Sequence, residues 1–311
     1  MKVLSYGSLN LDFVYTVPHF VQEGETLSSL EREVFPGGKG LNQSIALAKA
    51  GLPVSHAGAI GSDEGELLVR MLEAVSVDTS RISILSGPSG HAIIQRDLNG
   101  RNGILIFGGA NKALTREKIL ADLQDFGRGD FLVLQNEINE LPYLVDQAYA
   151  AQMRIVLNPS PLDASIFDMD LSKISVFLVN ELEAQALLMH YDQSLDLDGH
   201  WSETKIHSAL ESLQKLFPKA LLVMTLGKAG SAAISPDAYA RCGSFSVPVV
   251  DTTAAGDCFS GYFLAAQAGG ASLAESLRRA SAAAAIAVSR PGAAPSIPES
   301  KEVDSFLAKQ V

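Results

Sequence analysis

The sequence predicts an α/β fold built on a mostly parallel sheet. Short β-prone runs alternate with helix-compatible stretches along most of the chain, the pattern left by parallel strands joined through crossover helices. At 311 residues and 47% hydrophobic, the chain can bury a large core, and no low-complexity tract or linker divides it.

Val3 to Gly7 reads as a strand, Asn42 to Ala50 as a helix, Val54 to Ile60 as a strand and Glu64 to Glu73 as a helix. The alternation then breaks. His91 to Gln95 and Ile104 to Phe107 are β-prone runs around the turn-rich Asn99-Gly100-Arg101-Asn102-Gly103, which predicts a hairpin. Alternation resumes with helix Thr115 to Leu123, strand Phe131 to Gln135, helix Leu141 to Ala151, strand Arg154 to Leu157 and strand Val176 to Val179. Helix Glu181 to Leu188, helix Glu203 to Leu216 and strand Leu221 to Thr225 follow, and two long helices near Gly256 to Ala268 and Leu273 to Ser289 close the fold.

Most of the chemical content lies in Asp251-Thr252-Thr253-Ala254-Ala255-Gly256-Asp257, a small-residue turn ahead of the helix-compatible run Cys258 to Ala268. Such a turn aims backbone N–H groups, unobstructed by large side chains, at whatever sits at the helix start, and so makes an anion hole. Asp257 beside it is placed to take the proton of a hydroxyl attacking the bound anion, which points to phosphoryl transfer to an alcohol. The same residues also fit an ordinary helix N-cap, with Asp257 favouring the dipole. Near the N-terminus, Gly37-Gly38-Lys39-Gly40-Leu41-Asn42-Gln43 offers a glycine-rich loop with a cation and two amides. It is not a nucleotide P-loop, because the required spacing is missing here and around Gly227-Lys228, which Ala229 follows.

These two loops resemble the sugar loop and the catalytic turn of the ribokinase family of carbohydrate kinases, also called the PfkB family. Other motifs follow in the family's order: Gly7-Ser8-Leu9-Asn10-Leu11-Asp12, Glu23-Gly24-Glu25-Thr26, Asn180-Glu181-Leu182-Glu183, Thr225-Leu226-Gly227-Lys228-Ala229-Gly230, and Gly292 to Pro298. The resemblance implies a ribokinase-like three-layer α/β/α sandwich with a mostly parallel central sheet and a small β-sheet lid. It implies one domain over residues 1–311, with the lid formed by about 12–35 and 89–109. Lids of two subunits often pack on each other in this family, so a homodimer is expected.

By resemblance, Asp257 is the catalytic base and the amides of Ala254, Ala255, Gly256 and Asp257 stabilise the transferring phosphoryl group. Asn10, Asp12, Gly38, Lys39, Asn42 and Glu137 match positions that hold sugar hydroxyls. Asn10 and Asp12 also suit a turn after the first strand, whereas Glu137 follows the carboxyl end of a strand, where ligands of open α/β sheets bind. Asn180 and Glu183 match residues that order Mg²⁺ and its waters around the nucleotide phosphates, although Glu183 also suits a first-turn charge. Thr225, Gly227 and Gly230 match the adenosine-phosphate loop, or form a plain turn between strands. Asp251, Thr253, Ala287, Arg290, Gly292 and Ser296 match the shell of a monovalent-cation site for K⁺. The implied cofactors are ATP, Mg²⁺ and K⁺. The chain departs from many relatives at Leu277-Arg278-Arg279-Ala280, beside the expected adenine, at Leu41 and at Ser160.

Composition narrows the alternatives. A formal charge of −11 disfavours nonspecific nucleic-acid binding, so the substrates should be small; the resemblance implies that they are a sugar and ATP. Cys242 and Cys258 give no disulfide framework or metal-ligand spacing, no signal-peptide core follows Met1, and no apolar run reaches membrane-spanning length. A reduced, cytoplasmic protein is expected. Cys258 reads as a core residue, and His190, Asp192, Asp196, Asp198 and His200 as a polar connector rather than metal ligands. A nicotinamide dehydrogenase lacks support, since Gly7-Ser8-Leu9-Asn10 stands where a dinucleotide fingerprint belongs. The reading is an ATP-dependent kinase for the primary hydroxyl of a furanose, with D-ribose first. Fructose, a sugar acid or a nucleoside as acceptor, or a non-catalytic sugar-binding regulator of the same fold, remain open.

Overall fold

In the computed structural model, which describes residues 1–62, 64–192 and 201–310, the apolar runs become strands of two sheets. The first half of the chain runs β1 (Val3–Tyr6), β2 (Asn10–Val17), β3 (Glu31–Gly37), α1 (Lys39–Lys49), β4 (Val54–Gly61), α2 (Glu66–Ala74), β5 (Asp78–Leu85), β6 (Gly90–Asp97), β7 (Asn102–Phe107), α3 (Arg116–Leu123), β8 (Phe131–Gln135) and α4 (Leu141–Ala150). The second half runs β9 (Arg154–Asn158), β10 (Val176–Asn180), α5 (Glu181–His190), α6 (Glu203–Leu216), β11 (Leu221–Thr225), β12 (Ser231–Ser235), β13 (Ala238–Cys242), α7 (Ala255–Ala268), α8 (Leu273–Val288) and α9 (Ser300–Ala308).

The large sheet has nine strands in the order β13-β12-β11-β10-β9-β8-β1-β4-β5. Its strands run parallel from β11 to β5, and β12 and β13 fold back antiparallel at one edge. Because side chains alternate across a strand, each central strand feeds two cores. Leu132 and Leu134, Phe177 and Val179, and Leu222 and Met224 enter the core on one face; Phe131 and Val133, Val176 and Leu178, and Val223 enter the other. Helices α3, α4, α5 and α6 cover the first face, and α1, α7 and α8 the second. The result is the three-layer sandwich the sequence implies.

The small sheet has the order β3-β2-β6-β7 and mixes one parallel pair, β2 with β6, with antiparallel neighbours. Its β6–β7 pair is the hairpin expected from sequence, with His91 opposite Phe107. The chain leaves β1 at Tyr6 and enters β2 at Asn10, so the lid grows directly from the carboxyl end of a central core strand.

Four elements are absent from the sequence reading. Asp78–Leu85 is a half-exposed edge strand with polar residues interspersed, Ser231–Ser235 and Ala238–Cys242 are rich in Ala and Ser, and Ser300–Ala308 is a short helix begun by a Glu299/Glu302 capping box. Helix α1 also starts earlier than expected, at Lys39 rather than Asn42. Gly38 is its N-cap at φ 95°, and a Cβ there would lie 2.9 Å from the Ser8 carbonyl oxygen. Only glycine fits that approach, so the glycine-rich loop is the first turn of the helix rather than a lead-in to it.

Candidate active site

Parallel strands present their carboxyl ends at one edge of the sheet, and ligands of open α/β sheets bind there. Ser8 and Asn10 follow β1, Glu137 follows β8, and Asn158, Asn180 and Thr225 close β9, β10 and β11. A cleft of about 200 Å³ opens at this edge, lined by Lys39, Asn158, Ser160, Asn180, Glu183, Thr225 and, from the far side, Ala254, Ala255, Gly256 and Asp257.

Ala254 forms the corner of the small-residue turn. It adopts a left-handed conformation, φ 58°, unfavourable for a residue with a Cβ, and caps α7 without a side-chain hydrogen bond. Its carbonyl accepts from the Cys258 amide at 2.8 Å. The Ala255 amide donates to the Thr252 carbonyl at 3.3 Å, so one of the four amides expected to bind an anion also closes the turn. Among the described residues, the N–H groups of Ala254, Gly256 and Asp257 have no protein acceptor. Together with the helix dipole they make a positive rim on the cleft.

Asp257 lies beside that rim, only 6% exposed. Its Oδ2 accepts from Asn42 Nδ2 at 3.1 Å and its Oδ1 from Gln43 Nε2 at 2.9 Å, so two consecutive residues of α1 hold one carboxylate. Cys258, next in sequence, is fully buried, and burial pushes its thiol well above the ordinary range, as a core residue requires.

The other expected sugar residues are linked to one another around the start of α1. Asn10 and Asp12 sit on β2, where Gly37 of β3 stands opposite Asn10. Burial, and then the negative charge of Glu137, push the Asp12 carboxyl up to about 6. Glu137 Oε2 accepts from Ser8 Oγ and from the Lys39 amide, the latter at 3.0 Å, and Ser8 Oγ in turn accepts from the Gly40 amide at 3.2 Å. Glu137 and Ser8 thereby satisfy the start of α1, which has no N-cap side chain of its own. Asn10 Oδ1 accepts from Asn111 Nδ2 at 2.7 Å, and Asn111 Oδ1 takes the Leu9 amide at 3.0 Å. Neither Ser8 nor Asn111 was singled out from sequence. Asn111 lies in an unremarkable turn, and Ser8 carries meaning only through partners distant in the chain.

Asn180 and Glu183 form a reciprocal capping box, each amide donating to the other side chain at 2.9 Å. Glu183 is buried and faces the cleft. Burial holds its carboxyl above the ordinary range, opposed in part by the Asn180 amide and the Lys39 ammonium. No cluster of three or more His, Cys, Asp or Glu residues exists among the described residues. One buried carboxylate at the phosphate end of a cleft nevertheless fits Mg²⁺, which keeps most of its waters and leans on substrate phosphates. Thr225 lines the same cleft, whereas Gly227 and Gly230 build the turn leading away from it, at φ 50° and 94°. In the stretch expected beside the adenine, Leu277 and Ala280 are fully buried, Arg279 pairs with Asp304 and Arg278 is exposed.

Behind the anion turn, Asp251 ties two loops together. Its Oδ1 accepts from the Thr253 amide and hydroxyl at 2.9 and 2.6 Å, and its Oδ2 from the Gly292 amide at 3.0 Å. Burial would raise its carboxyl, but these donors outweigh it and hold Asp251 below the ordinary range. The Ala287 carbonyl accepts from the Arg290 amide, the Arg290 side chain pairs with Glu302, and Ser296 is buried with its hydroxyl on the Ala293 carbonyl. The set is carbonyl-rich with one carboxylate, a donor chemistry suited to a monovalent cation. Asp196, Asp198 and His200 lie outside the described residues, and His190 stacks on Phe167.

A helix start with open N–H groups, a buried carboxylate beside it and further polar side chains linked to it through α1, all at the carboxyl edge of a parallel sheet, suit a phosphotransferase acting on an alcohol. The chain belongs to the pfkB family of carbohydrate kinases, whose sequence profile matches residues 1–300. It is 32% identical over 307 residues to a ribokinase of Haemophilus influenzae, covering 97% of this chain and 96% of that protein. It is 28% identical over 317 residues to a deoxyribokinase of Salmonella typhimurium, covering 99% of each. In structure it is similar to a ribokinase of Cryptococcus neoformans in complex with ADP (TM-score 0.86, 31% identity, 98% of this chain and 99% of that one). It is also similar to a ribokinase of Arabidopsis thaliana complexed with ribose and ATP (TM-score 0.82, 27% identity, 98% of each chain). The protein is thus a carbohydrate kinase that binds ATP and phosphorylates a sugar hydroxyl.

Proposed function

We propose that the protein transfers the γ-phosphoryl group of ATP to the primary hydroxyl of D-ribose, giving D-ribose 5-phosphate and ADP. The observation that carries this reading is the run of polar side chains joined through α1 to the carboxylate beside the anion turn: Asn42 bonds Asp257, the Lys39 amide bonds Glu137, and the Glu137 charge reaches Asp12, two residues along β2 from Asn10. So many donors and acceptors match a small polyol better than the apolar base of a nucleoside.

Sugar hydroxyls would lie between Asp12, Asn10, Lys39, Asn42 and Glu137, with Gly38 leaving the backbone open beside them. Asp257 accepts the proton of the primary hydroxyl as its oxygen attacks the γ-phosphorus in line. The bond from that phosphorus to the bridging oxygen breaks, and ADP leaves with the electron pair. The amides of Ala254, Ala255, Gly256 and Asp257 stabilise charge on the moving phosphoryl group, Ala255 less than the others because Thr252 shares its N–H. Thr225, Gly227 and Gly230 frame the nucleotide, while Asn180 and Glu183 would hold Mg²⁺, which neutralises phosphate charge when bound. Asp251, Thr253, Ala287, Arg290, Gly292 and Ser296 would hold K⁺ behind the anion turn. Bound there, it would supply positive charge that stiffens the turn.

The same proposal takes residues 1–311 as one domain with the small sheet as a lid that excludes water during transfer. It also takes the protein as a cytoplasmic homodimer joined through the lids. What supports the dimer is β7, an edge strand whose Ile104, Leu105, Ile106 and Phe107 are each more than half exposed. An ADP-release assay over ribose, deoxyribose, fructose, sugar acids and nucleosides, with and without K⁺, tests the reading. D-ribose should give the highest kcat/KM, and a higher value for any other acceptor overturns the ribose assignment.

A further inference from the structure

Gln43 Nε2 donates to Asp257 Oδ1 at 2.9 Å and reaches Asn158 Oδ1 at 3.3 Å. Asn158 cannot turn its amide round, because its Nδ2 is already committed to the Leu178 carbonyl at 2.8 Å. Two acceptors therefore face the one NH₂ group of Gln43, and a flipped amide would set oxygen against both. The orientation passes outward. Gln43 Oε1 accepts from Gln135 Nε2 at 2.7 Å, which leaves Gln135 Oε1 buried without a partner.

An orphaned buried acceptor is unfavourable, and Gln135 tolerates it in a chain whose every link points N–H toward the carboxylate. Gln43 is 1% exposed, and α1 packs closely on α7 through Gly261 and Ala46, so neither partner can drift away. We infer that Gln43 is a positioning residue for Asp257, oriented by Asn158 and Gln135, which holds the carboxylate with its open lone pair toward the cleft. The inference rests on Asp257 being the base.

The test is kcat and KM for ribose at neutral pH for Gln43→Met, Gln135→Met and Asp257→Asn. Gln43→Met keeps the side-chain length but removes the N–H, so the carboxylate loses one of the two side chains that hold it. Turnover falls about tenfold or more, with KM for ribose within about threefold of wild type. Gln135→Met touches neither substrate nor Asp257 and lowers kcat in the same way by less. If Gln43→Met does not fold, this second variant decides. Undiminished kcat in a folded Gln43→Met or Gln135→Met, or a KM that rises as much as kcat falls, overturns the inference even where Asp257→Asn abolishes turnover. Undiminished turnover in Asp257→Asn overturns the base assignment instead.

Discussion

Gly37 makes the space that the Asp12 carboxylate occupies: a Cβ built on Gly37 would lie 2.2 Å from an Asp12 carboxylate oxygen. The requirement comes from the Asp12 side chain, diagonal to Gly37 on the neighbouring strand, not from the backbone conformation of Gly37. Gly37→Ala should displace Asp12 while leaving the sheet intact, raising KM for ribose by about tenfold with a smaller change in kcat, the mark of lost ground-state binding. Steady-state kinetics at saturating ATP settle it, and an unchanged KM removes Asp12 from the sugar wall.

Asp12 also predicts a pH dependence. Its carboxyl is raised from an ordinary 3.8 to about 6 by burial and then by Glu137, so it becomes protonated as pH falls through about 6 and stops accepting from sugar hydroxyls. KM for ribose should rise below about pH 6. The raised value also means that folding favours the protonated form: this stability is present below about 3.8 and lost as pH rises through about 6. Asp12→Asn should therefore unfold at a higher temperature than wild type above pH 6, with little difference near pH 4, while losing ribose affinity. Thermal unfolding at the two pH values measures it, and a less stable variant at pH 8 contradicts the sign.

Asp257→Asn should retain ribose binding and lower kcat by roughly 10²- to 10⁴-fold, the range for loss of a general base. Isothermal titration with ribose separates the two effects. Near wild-type turnover removes Asp257 from the base role.

If Asp251 and the loop around Gly292 enclose a monovalent cation, K⁺ should raise activity well above that in tetramethylammonium, whose size excludes it. Asp251→Ala should abolish that difference and lower kcat by about tenfold or more, because Thr253 and Gly292 both lose the acceptor that joins the two loops. Equal rates of wild type in the two salts dispose of the site.

Every one of these predictions turns on a residue whose neighbours lie far away in the chain, and that marks the boundary of what a sequence carries. By itself the sequence determined the layer order and most elements. Phe131–Gln135, Glu203–Leu216 and Leu221–Thr225 stand where their patterns place them, because hydrophobic periodicity is a local property that the two cores simply read out. It also marked out the small-residue turn Asp251 to Asp257 and the glycine-rich loop Gly37 to Gln43, whose chemistry is concentrated in consecutive residues. Tertiary structure decided what has no local pattern. The half-exposed β5 and the Ala-rich β12–β13 hairpin become strands only because a neighbouring edge completes their hydrogen bonds. Likewise Gln43 meets Asp257 across 214 residues, Gln135 meets Gln43 across 92 and Asn111 meets Asn10 across 101. A side-chain amide has no meaning in isolation: which of its atoms donates, and to what, is set by the acceptor that folding brings opposite it.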